Sequence, residues 1–182
     1  RLRNGQGHAY RRLLNRYPEV TGPSRQAYES DANLQCAAPA DVASNYREIV
    51  KLLAERGCEH SPEFFLSYVA DQTVSDERIE AYRAALLDDG LRQIMRDSAD
   101  ELELYRKVSQ WCVEQLKFQQ TSGRDQTPLD ITRKSIVGRC EEMQILFVAA
   151  GATVGLVSRP ACTPWWAHMD NNHAWAEVWL DN

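Results

Sequence analysis

Two runs in the chain carry side chains able to do thiol chemistry. They are Val137-Gly138-Arg139-Cys140-Glu141-Glu142-Met143 and, farther on, Asn171-Asn172-His173-Ala174-Trp175-Ala176-Glu177-Val178-Trp179. The first reads as a helix start and the second as a strand start. Separate elements often deliver a thiol nucleophile and its imidazole base in this way, with folding bringing them together. In the first turn of a helix, unpaired backbone N–H groups and the positive end of the dipole favour thiolate over thiol. The N–H of Cys140 would also face the oxygen of a tetrahedral intermediate as it gains charge.

Gly138-Arg139-Cys140 before an apolar helix, then a turn-rich loop, then His173-Ala174-Trp175-Ala176-Glu177-Val178 resembles the core of the transglutaminase-like superfamily of papain-type thiol enzymes. The likeness is greatest to bacterial members and to peptide N-glycanases, and it extends from Leu102 to Asn182. The segment Phe64 to Arg83 resembles the region preceding this core in bacterial relatives. The resemblance implies a papain-like α+β core with an antiparallel sheet. It also implies Cys140 as nucleophile and His173 as base in acyl transfer or amide hydrolysis, with hydrolysis preferred. The substrate would be a peptide, protein, glutamine side chain or glycopeptide, and no cofactor would be needed. In the family a side chain upstream of the nucleophile gives the second oxyanion donor, for which Trp111 or a polar residue between Gln119 and Thr127 is the candidate. The family's acid, usually aspartate, comes from the strand after the histidine and is expected beyond residue 182. Many relatives have glycine directly after the nucleophile, where this chain has Glu141, a carboxylate placed where a depressed thiol pKa is wanted, with Arg139 able to offset its charge. Export is common among bacterial relatives, so a periplasmic or secreted location is expected. The competing reading is a non-catalytic module that keeps the cleft to bind a peptide or glycan.

The elements that must position these residues are legible as patterns. Gly138 opens a predicted helix through Ala150, closed by Gly151; Ala152 to Ser158 and His173 to Leu180 read as strands. Along the second strand His173, Trp175, Glu177 and Trp179 share one face, and Ala174, Ala176, Val178 and Leu180 share the other. The small aliphatic side is expected on the core helix, leaving the histidine's face at the cleft. Trp165, Trp166 and Trp175 are therefore the candidate substrate-binding residues, since aromatic rings give contact area at low entropic cost. Glu177 cannot orient His173, because four residues along a strand span about 13 Å.

Upstream, four helices are expected. Asn45 would cap one that carries Tyr46, Ile49, Val50, Leu53 and Ala54 and stops at Gly57. Ser61-Pro62-Glu63 would start a second with Phe64, Phe65, Tyr68 and Val69. Ser75 would open a third over Ile79, Tyr82, Leu86 and Leu87 to Gly90. Ser98 would open a fourth over Leu102, Tyr105, Val108, Trp111, Cys112 and Leu116. From Gln119 to Asp130 the composition is that of a loop. The division expected is a helical N-terminal region, 1–97, and a transglutaminase-like core, 98–182, incomplete at its C-terminal end.

Composition limits the alternatives. The 182 residues carry a formal charge of −5, which does not supply the basic face that nucleic acid requires. No apolar run reaches the ~20 residues of a membrane span. The chain starts at Arg1 with no leader-like segment. Cys140, Cys162, His168 and His173 make a poor metal set, because no two cysteines have the short spacing of structural zinc sites, so no metal is expected. Of five cysteines, Cys112 lies on an apolar helix face, and few or no disulfides are expected. His8, His60 and His168 have no chemical context of this kind. Oligomeric state is not legible.

Overall fold

The computed structural model of the protein describes residues 38–56, 65, 67–164, 166–169 and 171–180. It is an α+β structure, as expected, in which helices surround one long buried helix and an antiparallel strand pair lies against it.

Helix α1 spans Pro39–Arg56 and buries Val42, Tyr46, Ile49 and Leu52 at three-four spacing. Asn45 does not cap it. This side chain is 1% exposed inside the helix. Its amide donates to Gln72 Oε1 at 3.1 Å and to the Glu80 carbonyl at 2.7 Å, and its oxygen accepts from the Arg83 N–H at 3.2 Å. A residue type suited to helix ends is used here to satisfy buried backbone in another segment. Gly57 and the Ser61-Pro62-Glu63 start lie outside the described residues, while Phe65 and Val69 are buried against α1.

The helix expected from Ser75 begins only at Arg83. Glu77 accepts from the N–H groups of Val74 at 2.6 Å and Ser75 at 2.8 Å, so the local polar signal closes a turn instead of a helical first turn. Then follow α2 (Arg83–Leu86), a π-helical stretch (Leu87–Leu91) and α3 (Arg92–Asp97). Gly90, with φ 127°, kinks this run and does not end it. Helix α4 (Glu101–Gln115) is capped by Asp100, whose carboxylate accepts from Glu103 N at 2.7 Å. Ser98 donates instead to the Ile94 carbonyl.

β1 (Lys117–Phe118) pairs in parallel with β2 (Val137–Gly138) across the predicted loop. That loop also contains α5 (Pro128–Asp130), capped by Thr127, and a π-helical turn, Ile131–Ser135. Helix α6 runs from Cys140 to Val154. Gly151 does not close it. A Cβ there would lie 2.9 Å from Ser158 Oγ, so this glycine admits a strand, and the stop is Gly155 at φ 90°. The following strand is displaced accordingly: β3 is Val157–Thr163, and β4 is His173–Trp179. They pair antiparallel from Val157↔Trp179 to Thr163↔His173.

Ile145, Leu146, Ala149, Ala150 and Val154 of α6 are buried together with Leu86, Leu91, Leu104, Val108, Cys112 and Ile131. Val178 and Leu180 pack on this core, as the strand's alternation predicted. A second cluster joins α1, Phe65, Val69, Ile79 and Val157.

Candidate active site

Cys140 is the first residue of α6 and His173 the first of β4. Both line one cleft of about 350 Å³, with Phe118, Gln120, Arg139, Glu141, Trp166, Asn171 and Asn172. Two tight approaches fix the elements that carry these residues. Gly138 lies so close to α6 that a Cβ would meet Glu142 Cβ at 2.4 Å and Leu116 Cδ1 at 2.9 Å. Gln144, one helical turn after Cys140, donates to the carbonyls of Ala161 (2.7 Å) and Trp175, fastening the helix to both strands.

Arg139 and Glu142 set the entrance to α6. Glu142 is 1% exposed; its carboxylate accepts from Arg139 N at 2.8 Å and from the Thr121 hydroxyl at 3.0 Å, satisfying an orphan donor as a capping box does. The Arg139 guanidinium reaches Asp125 at 2.8 Å, Glu141 at 3.0 Å and the carbonyls of Thr121 and Gly123. Asp125 in turn accepts from the Ser75 hydroxyl at 2.7 Å. The loop that carries Gln120 is thus bound to the helix start.

Of the two opposed influences expected at the thiol, the helix start and Glu141, the second prevails together with burial. Partial burial and a hydrogen bond donated by Cys140 Sγ to Glu141 Oε2 at 3.2 Å push its pKa up, opposed by the N–H groups of Ala174 and of Cys140 itself. Burial first and the adjacent carboxylate second outweigh these N–H groups, so the thiol form is favoured. Burial pushes Glu141 upward, but the Cys140 thiol, its own N–H, Asn172 at 3.1 Å and Arg139 outweigh this and hold its carboxyl below the ordinary value.

His173 stacks on Trp166 at a centroid distance of 5.7 Å and on Trp175 at 6.0 Å. Trp166 lines the cleft, while Trp175 is 38% exposed beside it and donates to Glu177. Trp165 lies outside the described residues. Glu177 turns to Arg159, its cross-strand partner, at 2.7 Å. Trp111 cannot serve as an oxyanion donor. It is 7% exposed in the core, and its indole N–H is directed to the Asp89 carbonyl at 3.3 Å. Gln120, within the polar stretch singled out in the sequence, is at the cleft instead. Phe118 and Asn172 carried no recognised role in the sequence. An exposed aromatic two residues past a buried helix end was the one signal for Phe118.

His168 is exposed and touches Trp166. Cys112, Cys140 and Cys162 are free thiols; Cys36 and Cys58 lie outside the described residues. Among the described residues no helix is long and apolar enough to cross a membrane, and no group of three or more His, Cys, Asp or Glu could hold a metal ion.

A family model described as the transglutaminase-like superfamily matches residues 89–182, just over half of the chain. No curated protein matches, and no solved structure does.

Proposed function

The chain belongs to the transglutaminase-like superfamily, and from that premise we propose that it carries out thiol-dependent acyl chemistry, with Cys140 as nucleophile and His173 as base. His173 takes the Cys140 proton, the sulfur attacks an amide carbonyl carbon, and the tetrahedral oxyanion forms facing the Cys140 N–H. The Gln120 side-chain amide is the second donor in this reading. Collapse breaks the C–N bond, and the departing amine receives the proton from the imidazolium. Water then attacks the thioester with His173 again as base, the C–S bond breaks, the carboxylic acid leaves, and the sulfur regains the proton from the imidazolium. An amine acceptor in place of water would give transfer, and hydrolysis is the preferred outcome. The substrate class is a peptide, a glutamine side chain or a glycopeptide, of the kind handled by bacterial and peptide N-glycanase-like members.

The observation that carries the reading is that the thiol at a helix start and the imidazole at a strand start open onto one cleft. Iodoacetamide labelling across pH tests it. If His173 is the base, His173→Ala should slow Cys140 labelling across the neutral and alkaline range and leave the exposed Cys162 unchanged. Labelling at Cys140 indifferent to His173→Ala at every pH overturns it. One feature favours the second reading, a binding module without turnover: the thiol proton is held by Glu141. A wild-type protein with no thioester intermediate on any amide substrate, yet able to bind peptide in the cleft, would establish that alternative.

A further inference from the structure

Glu141 stands where the sulfur, the cleft and the histidine loop meet. One carboxylate oxygen accepts from Cys140 Sγ at 3.2 Å and from Arg139 Nε at 3.0 Å, and the other accepts from Asn172 at 3.1 Å. It therefore bridges the two walls of the cleft across the nucleophile. The guanidinium beside it is already engaged by Asp125, Glu141 and two backbone carbonyls, so it has little to offer an incoming anion. Around it Asp125, Glu141 and Glu142 gather, three carboxylates against one guanidinium. Two aromatic rings line the same cleft, Phe118 at 65% exposure and Trp166 at 38% with His173 stacked against it, and aromatic faces attract cations and not anions.

We propose that Glu141 is a specificity-determining residue that selects acyl donors with a positively charged group next to the attacked carbonyl, that group drawing the carboxylate off the Cys140 sulfur as it binds. This rests on the thiol reading given above and deepens it. A cation placed between Glu141 and the Trp166 ring replaces the thiol as the partner of the carboxylate. The sulfur's proton is then free to pass to His173, so a substrate with the right charge would also arm the nucleophile. A neutral or anionic donor leaves the thiol held.

Methanethiosulfonate reagents of three charges test this on the intact chain, with labelling at Cys140 and Cys162 followed separately by peptide mass mapping. The sulfur attacks the sulfenyl sulfur, a mixed disulfide forms, methanesulfinate leaves, and the thiol proton goes to the imidazole or to water. The trimethylammonioethyl reagent should outpace the sulfonatoethyl reagent at Cys140 by about tenfold more than it does at Cys162, the scale of electrostatic focusing in a cleft. Glu141→Gln should cut that ratio about threefold or more while speeding the neutral methyl reagent at Cys140. Glu141→Ala provides the same comparison should the glutamine keep the Asn172 contact and hold the loop. An unchanged charge ratio in both variants, or a slower neutral reaction, overturns the inference. His173→Ala separates the two readings. Cys140 rates indifferent to it, with the charge ratio intact, count against the histidine's role. A histidine effect with no charge ratio counts against Glu141 alone.

Discussion

Glu142 is a carboxylate at 1% exposure whose partners are the Arg139 N–H and the Thr121 hydroxyl. Removing it strands two part-buried donors, at a cost of about 1–3 kcal/mol in all. Glu142→Ala is expected to lower unfolding free energy by that order in a urea titration and to loosen the Gln120 loop. Cys140 gives a second expectation, in pH. Its thiol is raised by burial and by Glu141, so the thiolate fraction near neutral pH is smaller than for an ordinary cysteine. Alkylation of Cys140 should climb well into the alkaline range, and Glu141→Gln should move the midpoint down. A stopped-flow rate profile against pH reads both. The positions of Cys140 and His173 were legible because each follows a local start signal. The destination of the thiol's proton was not, since it depends on where Asn172 and Arg139 steer the Glu141 carboxylate. Trp111 was ambiguous for a related reason: an indole on an amphipathic stripe looks the same whether its N–H faces a cleft or the Asp89 carbonyl.

At the scale of elements, close approach decides more than propensity. Gly138 has ordinary backbone geometry but no room for a Cβ against Glu142 and Leu116. Gly138→Ala should cost about 1–3 kcal/mol through overpacking, and it should also displace Arg139 and Cys140. Thermal unfolding reports the first effect and the Cys140 alkylation rate the second. The same consideration explains where boundary reading failed. Gly151 looked like a stop because glycine commonly ends helices, yet its missing side chain makes space for Ser158, and the true stop, Gly155, lies four residues on. The alternation in β4 was read correctly because one face must meet the core. Ser75 misled because Glu77 turned back on Val74 and Ser75, a competition between side chain and helix that no spacing rule resolves.

For the whole molecule, α6 is both the central core helix and the element that carries Cys140. Leu146 is fully buried, and Leu146→Ala should cost about 2–5 kcal/mol. Cys112 gives a direct readout from within the same core. Burial pushes its thiol far up, so in the native protein it should resist a thiol reagent that modifies the exposed Cys162 at once. Leu146→Ala should speed Cys112 labelling in step with the stability lost, and labelling indifferent to that change would mean the core opens locally there.

Gln144 has a reach beyond its two hydrogen bonds. It lies four residues past Cys140 on the helix, and the carbonyl it holds belongs to the second residue after His173 on the strand. The strand that begins at His173 is therefore tied to the helix that begins at Cys140 by a side chain outside the cleft lining, a tie that adds to the Glu141–Asn172 hydrogen bond. Side chains that line the cleft can then be exchanged to suit a new ligand while helix and strand stay joined, which makes that lining the natural place for this architecture to diversify.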